Sequence, residues 1–228
     1  DGTGYWLLTH RFGFTSFQAT LVNAASFTSS TFTTINSTLA VNFSAASHWS
    51  WHPVTGRLAV VPSVAGQNAM ILDFNRSTGS LSLVQQVLNS SVPSTNGQAI
   101  YDAEWSPSGN YLYLSIHGDE SAGIKGDVLQ FNPADPTVTL ASILPTGLFR
   151  SFGLQRANDT TVYHLYQDVS GGPVRLGRLD SLDLPADSVL YTPLVLGSSD
   201  WLGKQFPSRV PDGPADLHIS LTFAGSRE

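Results

Sequence analysis

Cysteine is absent from the 228 residues, which excludes disulfides and every thiolate metal site. Whatever compartment the chain occupies, its core alone must hold it folded. Charge is scarce as well: Asp, Glu, Lys and Arg make up 12% of the chain, about half the usual share of roughly 25%. Solubility then rests on Ser, Thr, Asn and Gln, which suits strands better than helices. The few charges sum to −6, with no run of Lys or Arg. That argues against nucleic acid as a partner, because phosphate binding needs clustered cations. No stretch approaches the ~20 apolar residues of a membrane-spanning helix. The opening DGTGYWLLTH has neither the basic head nor the small-residue cleavage site of a signal peptide, so a secreted parent is expected to carry its signal upstream of these residues. G-x-S-x-G, P-loop, G-x-G-x-x-G and HExxH motifs are missing too, which leaves no recognisable nucleophile, nucleotide or zinc context.

What the chain does have is apolar residues, at 41%, enough for a full core, and internal repetition. HWSWHPVTGRLAVVP (His48 to Pro62) resembles YDAEWSPSGNYLYLS (Tyr101 to Ser115). Each runs Trp, polar, Pro, a short Gly turn, then an alternating apolar segment. Downstream, AMILDFNRSTG (Ala69 to Gly79) matches DVLQFNPADP (Asp127 to Pro136). A weaker third copy is FGLQRANDTTVYHLYQ (Phe152 to Gln167), followed by PVRLGRLD (Pro173 to Asp180). The period of about 45 to 55 residues is that of propeller blades. Within a repeat, Tyr111, Tyr113 and Ser115 alternate with Leu112, Leu114 and Ile116, the period-2 signature of a strand. Ser106-Pro107-Ser108-Gly109 supplies a turn. No segment keeps a 3.6-residue period over three turns.

These patterns predict an all-β β-propeller of four-stranded antiparallel blades forming a single domain over 1–228. The blade segments are about 1–40, 41–96, 97–147 and 148–196, with a closing segment at 197–228. YWLLTH and SFQATLVN read as the second and third strands of a blade, so the chain is expected to begin inside one. Four blades' worth is fewer than the six to eight that close most rings. The expectation is therefore a partial ring of a larger propeller of about seven blades. The missing blades would come from the same parent or from a protein partner.

The ordered motifs resemble the propeller region of Bacteroidetes surface proteins exported by type IX secretion, the gliding-motility-associated or type B sorting-domain family. Gly4-Tyr5-Trp6-Leu7-Leu8-Thr9-His10 followed by Phe17-Gln18-Ala19-Thr20-Leu21-Val22 is similar to that family's first signature. Trp51-His52-Pro53 with Gly56-Arg57-Leu58-Ala59, then Asp73-Phe74 with Thr78-Gly79, resembles the next. Tyr101 through Tyr113 resembles the third, and Leu154-Gln155 with Asp159 and Val162-Tyr163 a later one. The likeness spans roughly 1–205. It departs at the closing motif, only faintly echoed by Leu202-Gly203 and Phe206-Pro207. The resemblance implies an extracellular or cell-surface, outer-membrane-associated location and a family with no agreed catalytic activity.

His48 and His52 lie four apart but on strand and turn, without an accompanying carboxylate, so they are not expected to bind metal. His10 and His117 sit at strand ends and are expected to hydrogen-bond turns. The loop from His117 through Asp119 and Glu120 to Asp127 lacks the alternate ligands of a calcium loop and reads as a solvated hairpin tip, although weak metal binding there stays open. Asp102 and Glu104 alternate on an inferred inner strand. They either line the central channel, where carboxylates can do acid–base work, or anchor neighbouring strands. Trp6, Trp49, Trp51 and Trp105 read as packing between blades, which leaves Trp201 as the tryptophan free to contact a partner. No catalytic, cofactor or metal residue is assigned. The expected function is a non-catalytic binding or scaffold module, with a protein or a glycan as partner, linked to type IX secretion, adhesion or gliding motility. The alternatives are a structural subunit of an outer-membrane secretion or motility assembly, or a propeller hydrolase or lyase acting at the channel mouth.

Overall fold

The computed structural model describes residues 4–10, 16–23, 26–34, 48–62, 67–87, 100–119, 123–135, 140–144, 148–158, 160–195 and 202–206. They form a β-propeller-like, all-β fold. Among the described residues the only helical element is one 3-10 turn at Ala186–Ser188, and no helix is long and apolar enough to cross a membrane.

Strands pair with their sequence neighbours. β1 (Tyr5–His10), β2 (Ser16–Asn23) and β3 (Ser26–Thr34) make a three-stranded sheet. β4 (His48–His52), β5 (Arg57–Val61), β6 (Ala69–Phe74) and β7 (Leu81–Val87) make a four-stranded one. β8 (Ile100–Trp105), β9 (Leu112–Ile116), β10 (Asp127–Phe131) and β11 (Ala141–Ser142) follow, then β12 (Arg150–Arg156), β13 (Val162–Gln167), β14 (Arg175–Asp180) and β15 (Leu190–Leu194). All pairs are antiparallel. The first strands of the last three sheets, β4, β8 and β12, lie side by side.

The turns explain why the strands stop where they do. Gly56 (φ 69°) and Gly109 (φ 76°) close the hairpins after Pro53 and Pro107 in the left-handed region that disfavours other residues. A Cβ on Gly109 would also collide with the His52 ring at 2.8 Å, so one sheet's turn seats on the next sheet's histidine. His52 serves this contact: its Nδ1 accepts the Thr55 N–H at 3.2 Å and its Nε2 donates to the Pro107 carbonyl at 3.0 Å.

Both faces of the middle sheets are covered at β5, β6 and β9, which is why these strands are apolar at most positions rather than at every second one. On β5, Leu58 and Val60 face Phe17, Met70 and Leu72, while Ala59 and Val61 face Ile100, Trp105 and Leu114. On β9, Leu112, Leu114 and Ile116 face that second core, and Tyr113 faces the third, with Val128, Leu154, Val162 and Leu179. Trp105 is fully buried and donates to the Ser50 carbonyl at 3.1 Å. Its repeat counterpart Trp51 is half-buried, edge-on to Phe74 at 6.0 Å between ring centres.

Candidate functional site

The site forms where β4, β8 and β12 adjoin. Asp102 and Glu104 alternate along β8 and reach both neighbouring strands. Glu104 accepts the Ser50 hydroxyl at 2.7 Å and the Trp105 N–H at 2.9 Å on one oxygen, and the Arg156 N–H at 3.1 Å on the other. Asp102 accepts the Ala103 N–H at 2.7 Å and the Leu154 N–H at 2.8 Å. Two carboxylates thus supply acceptors to an edge of β12 that would otherwise carry unpaired donors.

Asp102 also meets an imidazole. His48 Nδ1 lies 3.3 Å from Asp102 Oδ1. An amide N–H only donates, so the Gln205 contact leaves Nε2 with its lone pair and puts the ring proton on Nδ1. That lone pair accepts the exposed Gln205 amide at 3.0 Å. Burial lowers the His48 pKa below its ordinary value of 6.5, so the ring is neutral at pH 7. Burial pushes the Asp102 carboxyl well above the usual carboxylate range, opposed by its two backbone donors. A neutral histidine beside a buried Asp, with its accepting nitrogen held by one exposed amide, is an arrangement suited to a general base.

A stack of rings extends from this pair. Tyr101 lies 5.7 Å from His48 and stacks on His117 at 5.6 Å and 19°. Phe152 meets Tyr101 edge-on at 5.6 Å, and Lys204 Nζ lies 5.4 Å over the Phe152 ring. Burial raises the Tyr101 pKa, so it stays a phenol and a donor; Gln205 hydrogen-bonds its oxygen. The segment bearing Lys204 and Gln205 is held to β12 by Gly153, whose N–H donates to the Lys204 carbonyl at 3.1 Å. A Cβ there would come within 3.2 Å of the same oxygen, a tight contact that would push the segment back by a few tenths of an ångström. A separate cleft of about 320 Å³, lined by Gln155, Arg156, Asn158, Tyr163 and Phe206, lies at the far end of β12.

The sequence-singled residues scatter. Asp102 and Glu104 lie together as described, with Asp102 buried at 4% exposure rather than lining an open channel. Trp201 lies outside the described residues. His48 and His52 take different partners, and His117 stacks on Tyr101. His10 packs against Phe17, 4.9 Å between ring centres. Asp119 bridges to Ile124 through its backbone, and Asp127 accepts its neighbour Val128 N–H. Sequence reasoning missed the pairing of His48 with Asp102 and the roles of Tyr101, Lys204 and Gln205.

No protein-family model and no curated protein sequence matches the chain. Solved structures are similar to it at low identity. One is a "putative 6-phosphogluconolactonase" from Bacteroides uniformis (16% identity, TM-score 0.49, 82% of this chain and 50% of that one). Another is a protein of unknown function from Bacteroides thetaiotaomicron (15%, TM-score 0.49, 84% and 44%). A third is a periplasmic gluconolactonase from Pseudomonas aeruginosa (14%, TM-score 0.42, 89% and 71%). The chain spans about half the length of the first two.

Two of these three structures bear the names of lactonases. This corrects the expectation of a non-enzyme, and with it the reading of a non-catalytic scaffold for secretion, adhesion or motility. The sequence patterns behind that expectation describe packing and turns, and the pairing of His48 with Asp102 across two sheets leaves no local motif to read.

Proposed function

We propose that the chain carries the catalytic face of a hydrolase that cleaves a carboxylic ester or lactone by general-base attack of water, with His48 as the base and Asp102 as its positioning residue. The observation that carries this reading is the 3.3 Å contact between His48 Nδ1 and Asp102 Oδ1, with Nε2 accepting from the exposed Gln205 side chain. Water taking the place of the Gln205 amide gives its proton to His48 Nε2 as its oxygen attacks the carbonyl carbon. The acyl C–O bond then breaks, and the proton returns from His48 to the departing alkoxide. Tyr101 supplies a phenolic O–H beside the base, suited to donate to the carbonyl oxygen as negative charge develops on it.

Sugar lactones, the substrate class in the names of two similar structures, are the first compounds to assay. Hydrolysis by the purified chain is expected to fall by about 10²–10⁴ in His48→Gln, the usual worth of a positioned general base. Equal rates for the two proteins would remove His48 from the mechanism.

The same proposal extends to the parent. The four sheets are taken as blades, with segments 1–40, 41–96, 97–147 and 148–196, of a propeller of about seven, completed by other polypeptide. The parent is placed in the type IX-exported surface-protein family that the motifs resemble, and outside the cytoplasm. The close packing of β4, β8 and β12 supports the ring geometry. The ordered motif series supports the family.

A further inference from the structure

The turn between β6 and β7 is built on one asparagine. Asn75 Oδ1 accepts the Ser77 N–H at 2.9 Å, the Ser77 hydroxyl at 2.6 Å and the Thr78 N–H at 3.3 Å, an Asx-turn closed by its own sequence neighbours. Among the described residues its Nδ2 has no hydrogen-bond partner, and Asn75 through Thr78 are all exposed. The fold grips this turn by its backbone. Trp6 Nε1 donates to the Arg76 carbonyl at 2.8 Å, and Gly79 leaves room for the Trp6 ring, with which a Cβ would collide. Asn75-Arg76-Ser77 is also an Asn-X-Ser/Thr sequon, and Asn36, Asn42, Asn89 and Asn158 begin four more. Five of the ten asparagines thus do so in a chain with 48 Ser and Thr among 228 residues, where chance would place about two. Asn36, Asn42 and Asn89 lie outside the described residues. Asn158 lines the cleft at the end of β12. Asn75 holds its amide nitrogen clear of the fold.

We propose that Asn75 is an acceptor for N-linked glycosylation, taking an oligosaccharide from a lipid-pyrophosphate donor outside the cytoplasm. Nδ2 bonds to the anomeric carbon of the donor and loses one proton to a base of the transferase. The bond from that carbon to the pyrophosphate oxygen breaks, and the lipid pyrophosphate leaves with the electron pair. Because the Asx-turn is made within residues 75–78, its geometry is available before the rest of the chain folds. Because the turn is exposed afterwards, the folded protein accommodates the glycan. In a chain with only 12% charged residues, a glycan adds hydrophilic surface. The inference rests on the extracytoplasmic placement of the parent and is independent of the hydrolase reading. Strand register puts the turn at the His52 end of its sheet, opposite His48, so occupancy and hydrolysis are read separately.

The test is to secrete the full chain from a cell that carries an oligosaccharyltransferase, with a second sequon in an appended flexible tag. Peptide mass mapping is read on molecules whose tag is glycosylated, so each of them has met the transferase. Asn75 is expected to carry a glycan in most of these, and peptide-N-glycosidase should release it and leave Asp in its place. Asn75→Gln and Ser77→Ala should each abolish the modification, and Ser77→Thr should keep it. An unmodified Asn75 on molecules whose tag is occupied, or a glycan at Asn75 that persists in Ser77→Ala, overturns the proposal.

Discussion

Ser151 Oγ and His164 Nε2 lie 2.7 Å apart with both residues at 0% exposure. The chain of bonds continues from His164 Nδ1 to the Tyr191 hydroxyl at 3.1 Å, and from Ser151 to Ser115 at 2.9 Å. Burial depresses the His164 pKa from 6.5 to about 3. The unfolded chain therefore binds a proton in the interval between those values where the folded one does not. Stability is full above pH 6.5 and declines as pH falls toward 3, by up to ~1.4 kcal/mol per pH unit from this group. Urea unfolding at a series of pH values reads the slope. His164→Gln should flatten it, and an unaltered slope in that variant would assign the acid sensitivity elsewhere.

Trp105 and Trp51 hold corresponding repeat positions in unequal environments. Trp105→Ala empties a fully buried site and orphans the Ser50 carbonyl, so a loss of ~3–5 kcal/mol is expected. Trp51→Ala removes a half-buried ring and should cost clearly less. Equal losses in denaturant titrations would contradict the burial difference.

Glu104 holds Ser50 of β4 and the Arg156 N–H of β12 at once. Glu104→Ala leaves these donors without their acceptor and is expected to cost ~1–3 kcal/mol. Glu104→Gln keeps one acceptor oxygen and should cost less. A double-mutant cycle with Ser50→Ala is expected to show coupling.

How much of this was legible beforehand follows from what kind of contact each feature is. Alternation in Tyr111 to Ile116 and the Pro–Gly turns mark strands locally, and the sheet of β8 to β11 follows from them. The site is not local. His48 and Asp102 are as far apart as Ser50 and Glu104, which are 54 residues apart and hydrogen-bonded. That is also the offset between Trp51 and Trp105. In the repeat register, then, His48 faces Asp102 and Ser50 faces Glu104 across adjacent sheets. The signal was present in the alignment of repeats, but the histidine was read against its sequence neighbour His52 and the aspartate against Glu104. Lys204 and Gln205 carry no pattern, because their segment is placed by contacts to residues far away in sequence, the Gly153 N–H, His48 and Phe152.

Gln205 donates to Nε2 of His48, so Gln205→Ala should make that ring more reactive. Carbethoxylation by diethyl pyrocarbonate, followed at His48 by peptide mass spectrometry, is expected to accelerate several-fold. An unchanged rate would show that the amide does not shield the ring.

The central claim is that neutral His48, oriented by Asp102, is the base. It is tested most directly by the pH dependence of kcat/KM on the best lactone substrate, with folding verified by circular dichroism at each pH. Because burial lowers the His48 pKa, the acid limb should fall with a midpoint below 6.5, and it should vanish along with most of the rate in His48→Gln. A midpoint above 6.5, or an acid limb that survives intact in His48→Gln, would contradict the account.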